Sequence, residues 1–203
     1  MCSSDLELPV SPSKFVGEAK LFEAVDAKAP FGAFYMTLRV EPKTGVIWAG
    51  WGGSAGDHGV FHGDANGKWS KVLDWGGAPA QFRFTKKGIL AVMIGGLFPT
   101  SEADGSLVRV EGNKPVPLMK SLRRPADILV GDFDGKGPED FVLCEFGHLV
   151  GGVTWIGHQN EQSDRRSLLD QPGIINAASA DLNGDGHLDF AVLVGPADRQ
   201  SVV

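Results

Sequence analysis

Cysteine is almost absent from this chain. Two occur in 203 residues, Cys2 and Cys144, so a disulfide framework is excluded. Cys144 lies in Phe141-Val-Leu-Cys-Glu-Phe146 and reads as a small buried hydrophobe. No Cys-x-x-Cys-His haem attachment is present. Long apolar runs are missing too, and none approaches the roughly 18 residues that a membrane-spanning helix needs. Positive charge is scarce: 19 Lys and Arg stand against 25 Asp and Glu, a net charge of −6. With no Lys/Arg run, that balance argues against nucleic acid as a partner. Arg123-Arg124 and Arg165-Arg166 are isolated pairs, expected on loops and solvated. Catalytic signatures are missing as well. There is no Gly-x-Ser-x-Gly elbow, no thiol–imidazole pair and no pair of carboxylates in a recognisable pocket, so these residues give a catalytic claim nothing to stand on. Gly50-Trp-Gly-Gly-Ser54 and Gly95-Gly96 lead to neither Gly-Lys-Ser/Thr nor a helix, and are read as turns rather than phosphate loops.

What the chain has in plenty is glycine, 28 residues of it, alongside 12 prolines. Many glycines between short apolar runs predict many turns and many strands. The start, Met1-Cys-Ser-Ser-Asp-Leu6, has neither the basic nor the apolar region of a signal peptide. The same residues are encoded by a common sequencing-library adapter read in one frame. Residues 1–6 are therefore open to two origins, native or foreign, and the DNA upstream of codon 7 decides between them. The end, Gln200-Ser-Val-Val203, falls where another strand should open, and a fragment of a longer chain is expected.

One stretch carries specific chemistry. In Asp181-Leu-Asn-Gly-Asp-Gly-His-Leu-Asp189, side-chain oxygens stand at Asp181, Asn183, Asp185 and Asp189 around a central Gly186. Alternate residues can turn oxygens inward, glycine allows the sharp turn, and the peptide carbonyl of His187 adds a ligand. An all-oxygen set favours Ca²⁺ over zinc or copper. The flanks exclude an EF-hand: the twelfth position, a bidentate Glu in that motif, is Val192 here. The preceding residues 174–180 are too short and mixed for a helix, and the following Phe-Ala-Val-Leu-Val (190–194) reads as a buried strand. The loop thus joins strand to strand. A plain polar Asn/Asp/Gly turn is the competing reading.

The loop has a predecessor at an offset of 49 residues. Asp132 matches Asp181, Asp134 matches Asn183, Lys136 matches Asp185, Gly137 matches Gly186 and Asp140 matches Asp189. Upstream the rhythm continues without the metal loop. Strands are expected at 81–85, 89–94, 107–110 and 115–119, and before them at 34–40, 46–49, 59–62 and 69–73, with a hairpin signal at Asn66-Gly67. Residues 14–25 fit an outer strand or an amphipathic helix. A period near 50 built from short strands predicts an all-β chain: a β-propeller fragment of about 3.5 four-stranded meander blades within one partial domain, residues 7–203. The blades are expected near 34–75, 80–120, 126–170 and 174–203.

Ala180-Asp-Leu-Asn-Gly-Asp-Gly-His-Leu-Asp-Phe-Ala-Val-Leu193 resembles the FG-GAP/VCBS repeat. So does the stretch from Arg124 through Gly131-Asp-Phe-Asp-Gly-Lys-Gly-Pro-Glu-Asp-Phe-Val-Leu-Cys-Glu-Phe-Gly147. The likeness covers 126–156 and 174–194. That repeat, found also in integrin α-subunit propellers, pairs a calcium loop with a hydrophobic strand. It implies a calcium-stabilised recognition or scaffold module, non-catalytic by itself, in a periplasmic or extracellular setting. It also implies a protein or carbohydrate ligand and the remaining blades of a larger propeller as partners. The alternative it leaves open is the propeller portion of an exported redox enzyme with a fused cytochrome c type domain elsewhere. Because Lys136 replaces a ligand carboxylate, the loop of Asp132, Asp134, the Pro138 carbonyl and Asp140 is expected to bind calcium more weakly than 181–189, or not at all.

Other constellations carry less. Asp57, His58, His62 and Asp64 could gather a metal only if the two histidines shared a helical face, which the surrounding glycines deny. On a strand they lie roughly 13 Å apart. Trp48, Trp51, Trp69, Trp75 and Trp155 are read as packing between sheets rather than as a sugar platform.

Overall fold

The computed structural model describes residues 33–53, 59–63, 69–73, 77–96, 102–111, 114–157 and 164–195. Every regular element among them is a strand. The readings on residues 1–6, 14–25 and 200–203, on the Asn66-Gly67 turn, and on Cys2, Asp57, His58, Asp64 and Trp75 lie outside the described residues.

Three four-stranded antiparallel sheets and one antiparallel pair make up the fold. Sheet one holds β1 (Ala33–Val40), β2 (Ile47–Gly53), β3 (Gly59–Gly63) and β4 (Trp69–Leu73). Sheet two holds β5 (Pro79–Thr85), β6 (Gly88–Met93), β7 (Gly105–Glu111) and β8 (Lys114–Leu122). Sheet three holds β9 (Pro125–Gly131), β10 (Asp140–Glu145), β11 (Gly152–Ile156) and β12 (Arg165–Leu169). The pair is β13 (Ile174–Ala180) with β14 (Asp189–Val194). Within each sheet the strands are neighbours in chain order, a meander. Each strand expected between residues 34 and 194 has its counterpart.

The first two strands of every sheet share one register. Each first strand carries a one-residue bulge at the same place: Met36, Ala80, Ala126 and Ile175 are skipped in the pairing. After the bulge, Thr37 faces Gly50, Gln81 faces Val92, Asp127 faces Cys144 and Asn176 faces Leu193. One main-chain bond closes the same corner three times. Ile94 N–H donates to Ala78 C=O, Phe146 N–H to Arg124 C=O, and Gly195 N–H to Gly173 C=O. A bulge bends its strand and raises the local twist, so four copies turn the four sheets alike.

Successive sheets meet through these first strands. β1 packs on β5, β5 on β9 and β9 on β13, while β2, β6 and β10 each touch the first strand of the following sheet. Between sheets one and two lie Trp48, Val60, Phe82, Ala91, Met93, Val108 and Val110. Between two and three lie Leu90, Val92, Leu107, Met119, Leu122, Ile128, Phe141, Leu143 and Ile156. Between three and the final pair lie Leu129, Val142, Cys144, Val153, Ile174 and Ala177. The alternation of the strands explains the pattern, because successive side chains point to opposite faces and sheets two and three are covered on both. Leu90 and Val92 point forward while Ala91 and Met93 point back. Among the described residues the four sheets close into neither a barrel nor a ring.

Four expectations need correction. Residues 190–194 do form a strand, but its side chains are half-buried or exposed rather than buried. Gly50 to Gly53 are strand, not turn. A Cβ on Gly50 would come within 2.6 Å of the Pro79 carbonyl oxygen and 2.8 Å of Thr37 Cγ2, so glycine here lets the next sheet approach. Arg165 and Arg166 lie on β12, not a loop, and both are exposed. Arg124 is buried rather than solvated, its guanidinium carbon 5.3 Å from the Phe146 ring centroid. Trp48 does pack between sheets, edge-on to Phe82 and Phe84 of the next sheet. Trp155 borders the last junction. Cys144 is fully buried, and burial pushes its thiol up to about 12.

Candidate metal centre

The two acidic loops connect first and second strands of consecutive sheets: residues 132–139 join β9 to β10, and 181–188 join β13 to β14. Their hydrogen bonds superpose position by position. The first aspartate of each takes the N–H five residues on: Asp132 Oδ2 from Gly137 at 2.8 Å, Asp181 Oδ2 from Gly186 at 2.9 Å. The second ligand position takes the N–H two residues on: Asp134 Oδ1 from Lys136 at 3.1 Å, Asn183 Oδ1 from Asp185 at 2.9 Å. The last reaches back: Asp140 Oδ2 accepts from Phe133, and Asp189 Oδ2 from Leu182. Glycine is required twice in each, with φ of +72° and +93° at Gly135 and Gly137 and +79° and +86° at Gly184 and Gly186.

The loops differ in how far their oxygens converge. Asp132, Asp134 and Asp140 each bring one carboxylate oxygen to within 4.8 Å of the others, and among the described residues this is the trio of acidic groups so gathered. Asp140 is fully buried and Asp132 and Asp134 are half-buried. Asp132 Oδ1 is shielded from solvent and accepts no hydrogen bond. Opposite ligands of one Ca²⁺ at about 2.4 Å stand about 4.8 Å apart, so the spacing fits a shared hard cation. Lys136 intrudes, its Nζ 2.8 Å from Asp134 Oδ2, which raises the lysine pKa.

The 181–189 loop is exposed throughout its turn, and its oxygens are held by its own backbone. Asp181 Oδ1 also accepts from Gly184 at 2.7 Å, and Asp185 Oδ1 from His187 at 2.8 Å. Asn183 Nδ2 donates to Asp185 Oδ2 at 2.9 Å. The Gly186 N–H above all holds the Asp181 carboxyl below its usual range, and the His187 N–H does the same for Asp185. The loops touch. A Cβ on Gly135 would sit 3.2 Å from the His187 ring, one on Gly131 would strike Leu188 Cδ1, and Phe133 meets Phe190 edge-on.

At this same end, the first-to-second-strand turns of sheets one and two frame a cleft of about 480 Å³ lined by Pro42, Lys43, Phe84, Lys86, Ile89 and Glu139. His62, from the Asp57–Asp64 group, lies on β3 against Trp48, ring centroids 3.9 Å apart, with its pKa lowered by burial.

Sequence reading missed one feature. The residue just after each bulge is polar in every sheet: Thr37, Gln81, Asp127 and Asn176. The first three are buried and bridge sheets. Thr37 Oγ1 bonds Gln81 Oε1 at 2.8 Å. Asp127 Oδ1 takes Arg83 Nη2 at 2.6 Å, and its Oδ2 takes the Ala177 N–H at 3.0 Å. Its signal was a polar residue near the start of each first strand, recurring with the sheets.

The fold and the paired loops define an all-β chain of repeated antiparallel sheets bearing acidic strand-to-strand turns. No family model, curated protein or solved structure matches it.

Proposed function

We propose that the chain is a calcium-stabilised recognition or scaffold module, an arc of a β-propeller of the FG-GAP/VCBS kind, working in a periplasmic or extracellular setting. The observation that carries this is the pair of loops with one hydrogen-bond frame at one offset, one of which gathers three carboxylates. The repeated register and bulge support the propeller reading, since blades are copies of one meander set around an axis. The cation's part is structural. It supplies charge neutralisation, and Asp181, Asn183, Asp185 and Asp189 with the His187 carbonyl would hold it. The Asp132 loop, with the Pro138 carbonyl, is the weaker site because Lys136 already compensates Asp134. The ligand of the module is a protein or carbohydrate.

Calorimetric titration of the whole chain with CaCl₂, with MgCl₂ as control, tests the reading. One tight site is expected, lost in Asp185→Ala and kept in Asp140→Asn. Saturation should stabilise the fold by about 2.7 kcal/mol at a hundred times Kd. No heat and no shift in melting would sink the calcium role. Two equal sites would overturn the ranking of the loops.

A further inference from the structure

The first-to-second-strand turns do not close their junctions alike. At the last junction the two long acidic loops plug the mouth. Phe133 meets Phe190 edge-on, and Leu188 Cδ1 lies 2.6 Å from where a Cβ on Gly131 would stand. At the first junction the turns are shorter: residues 41–46 join β1 to β2, and only Lys86 and Lys87 join β5 to β6. Phe84 and Ile89 pack on the core below and stay half-buried, and the cleft of about 480 Å³ lies above them. Its walls come from three consecutive sheets, since Glu139 reaches it from the 132–139 loop. It lies between sheets, not on the outer face of sheet one or of the last pair.

The volume falls in the range of about 300–1,000 Å³ usual for ligand sites, and so does the make-up, an apolar floor with a few polar groups. Phe84 and Ile89 form the floor, and Pro42 extends it at the rim. Lys43 of sheet one and Lys86 of sheet two are exposed at the mouth. Among the described residues neither ammonium forms a salt bridge, nor does the Glu139 carboxylate. Glu41 is already engaged, its Oε2 accepting the Thr44 hydroxyl at 2.6 Å. The cleft thus offers apolar surface, two unpaired ammonium groups and one unpaired carboxylate.

We propose that this cleft is the module's recognition site and takes a protein segment in which an apolar side chain stands next to carboxylates. The proposal rests on the chain being a recognition module, and it narrows the ligand from protein or carbohydrate to protein. The apolar side chain covers Phe84 and Ile89, and the carboxylates meet Lys43 and Lys86. A lysine is a compact charge on a flexible stem, so it attracts a carboxylate without demanding one fixed geometry. Glu139 sets the direction, because it repels a carboxylate on the side of sheet three and accepts an N–H there. A sugar presents many hydroxyls, each needing a partner when buried. The lining residues include no side-chain amide, guanidinium or indole to supply them.

The test is a nuclear magnetic resonance titration of the isotope-labelled full chain with the peptide acetyl-Ser-Leu-Glu-Glu-Ser-amide. The comparison probes are the same peptide with lysine for both glutamates, the same peptide with serine for leucine, and trigalacturonate as an acidic sugar. Saturable shifts are expected at the Lys43, Gly88, Ile89 and Glu139 amides, with a Kd in the millimolar range for so small a contact. The charge-reversed and the leucine-free peptides should each bind at least about fivefold more weakly, and added NaCl should weaken the acidic peptide. Lys43→Ser combined with Lys86→Ser should weaken it to a similar degree. Both positions are exposed, so the fold should survive, which unchanged shifts elsewhere verify. No shift at these amides overturns the proposal, and so does binding that the double variant leaves unchanged or a charge-reversed peptide that binds more tightly. Trigalacturonate binding there more tightly than the peptide overturns the choice of a protein ligand. The calcium role is scored apart by calorimetry. If the peptide binds and no calcium site is found, the cleft stands without the cation; if calcium binds and these amides stay still, the cleft reading alone falls.

Discussion

Asp127→Ala is expected to be among the most damaging single changes in the chain. The carboxylate is fully buried and takes three donors from three sheets. Arg83 Nη2 of sheet two lies 2.6 Å away, Ile128 N–H of its own strand 2.8 Å and Ala177 N–H of the last pair 3.0 Å. Alanine leaves two main-chain N–H groups without acceptors, each costing about 1–3 kcal/mol. It also strips the partner from Arg83. That side chain is 22% exposed, so water recovers part of this loss, and the full cost of about 3–5 kcal/mol for breaking a buried pair is an upper limit for the Arg83 share. The two amides alone come to about 2–6 kcal/mol, and the Arg83 share adds at most about 3–5 kcal/mol to that. Asp127→Asn should cost nearly as much, since one amide oxygen cannot serve donors that arrive on both carboxylate oxygens. Urea unfolding gives the stability, and hydrogen exchange at the Ala177 amide reports the junction itself. The Ala177 amide should lose protection by more than the global change alone provides. If Asp127→Ala costs less than about 1 kcal/mol and the Ala177 amide stays protected, the bridge does not hold the sheets together.

Further expectations rest on other parts of the structure. Ile128→Ala, at the fully buried junction of sheets two and three, should destabilise by about 2–5 kcal/mol in the same urea assay. Gly147 has φ +60°, and a Cβ there would run into the Val150 carbonyl oxygen, so Gly147→Ala should lower the melting temperature measurably where most surface changes do not. The Cys144 thiol, buried and pushed up to about 12, should resist a thiol reagent at neutral pH until the chain unfolds, and fast labelling of the native protein would contradict its burial. Burial raises the Glu145 pKa despite the Arg123 N–H it accepts. Its folded value therefore lies above its unfolded one, so stability should fall as pH rises from the ordinary glutamate value through the raised one. Glu145→Gln should flatten that part of the pH–stability curve.

Strand positions were legible because they depend on local chemistry. Short apolar runs between Gly, Pro, Asn and Asp turns fold as strands whatever they later pack on, and both acidic loops announce their spacing in the residue types. Arg165 and Arg166 were misplaced because charge signals exposure, and an edge strand such as β12 is exposed while still paired on one side. Arg124 was misplaced because an arginine can be buried against a phenylalanine ring that lies 22 residues away in sequence. Gly50 was misplaced because glycine usually marks a turn, whereas here it answers a carbonyl from the next sheet.

By itself, then, the sequence determined the all-β class, the order of strands, the 49-residue repeat and the oxygen-only character of its two loops, all properties of neighbours along the chain. Only the tertiary structure decided which of those oxygens converge, since three carboxylates meet at Asp132, Asp134 and Asp140 while the richer loop at 181–189 spends its oxygens on its own backbone. It alone paired Asp127 with Arg83 and Ala177. Both outcomes depend on how one sheet lies against the next, and that is set by burial and hydrogen bonding across distances that no local pattern encodes.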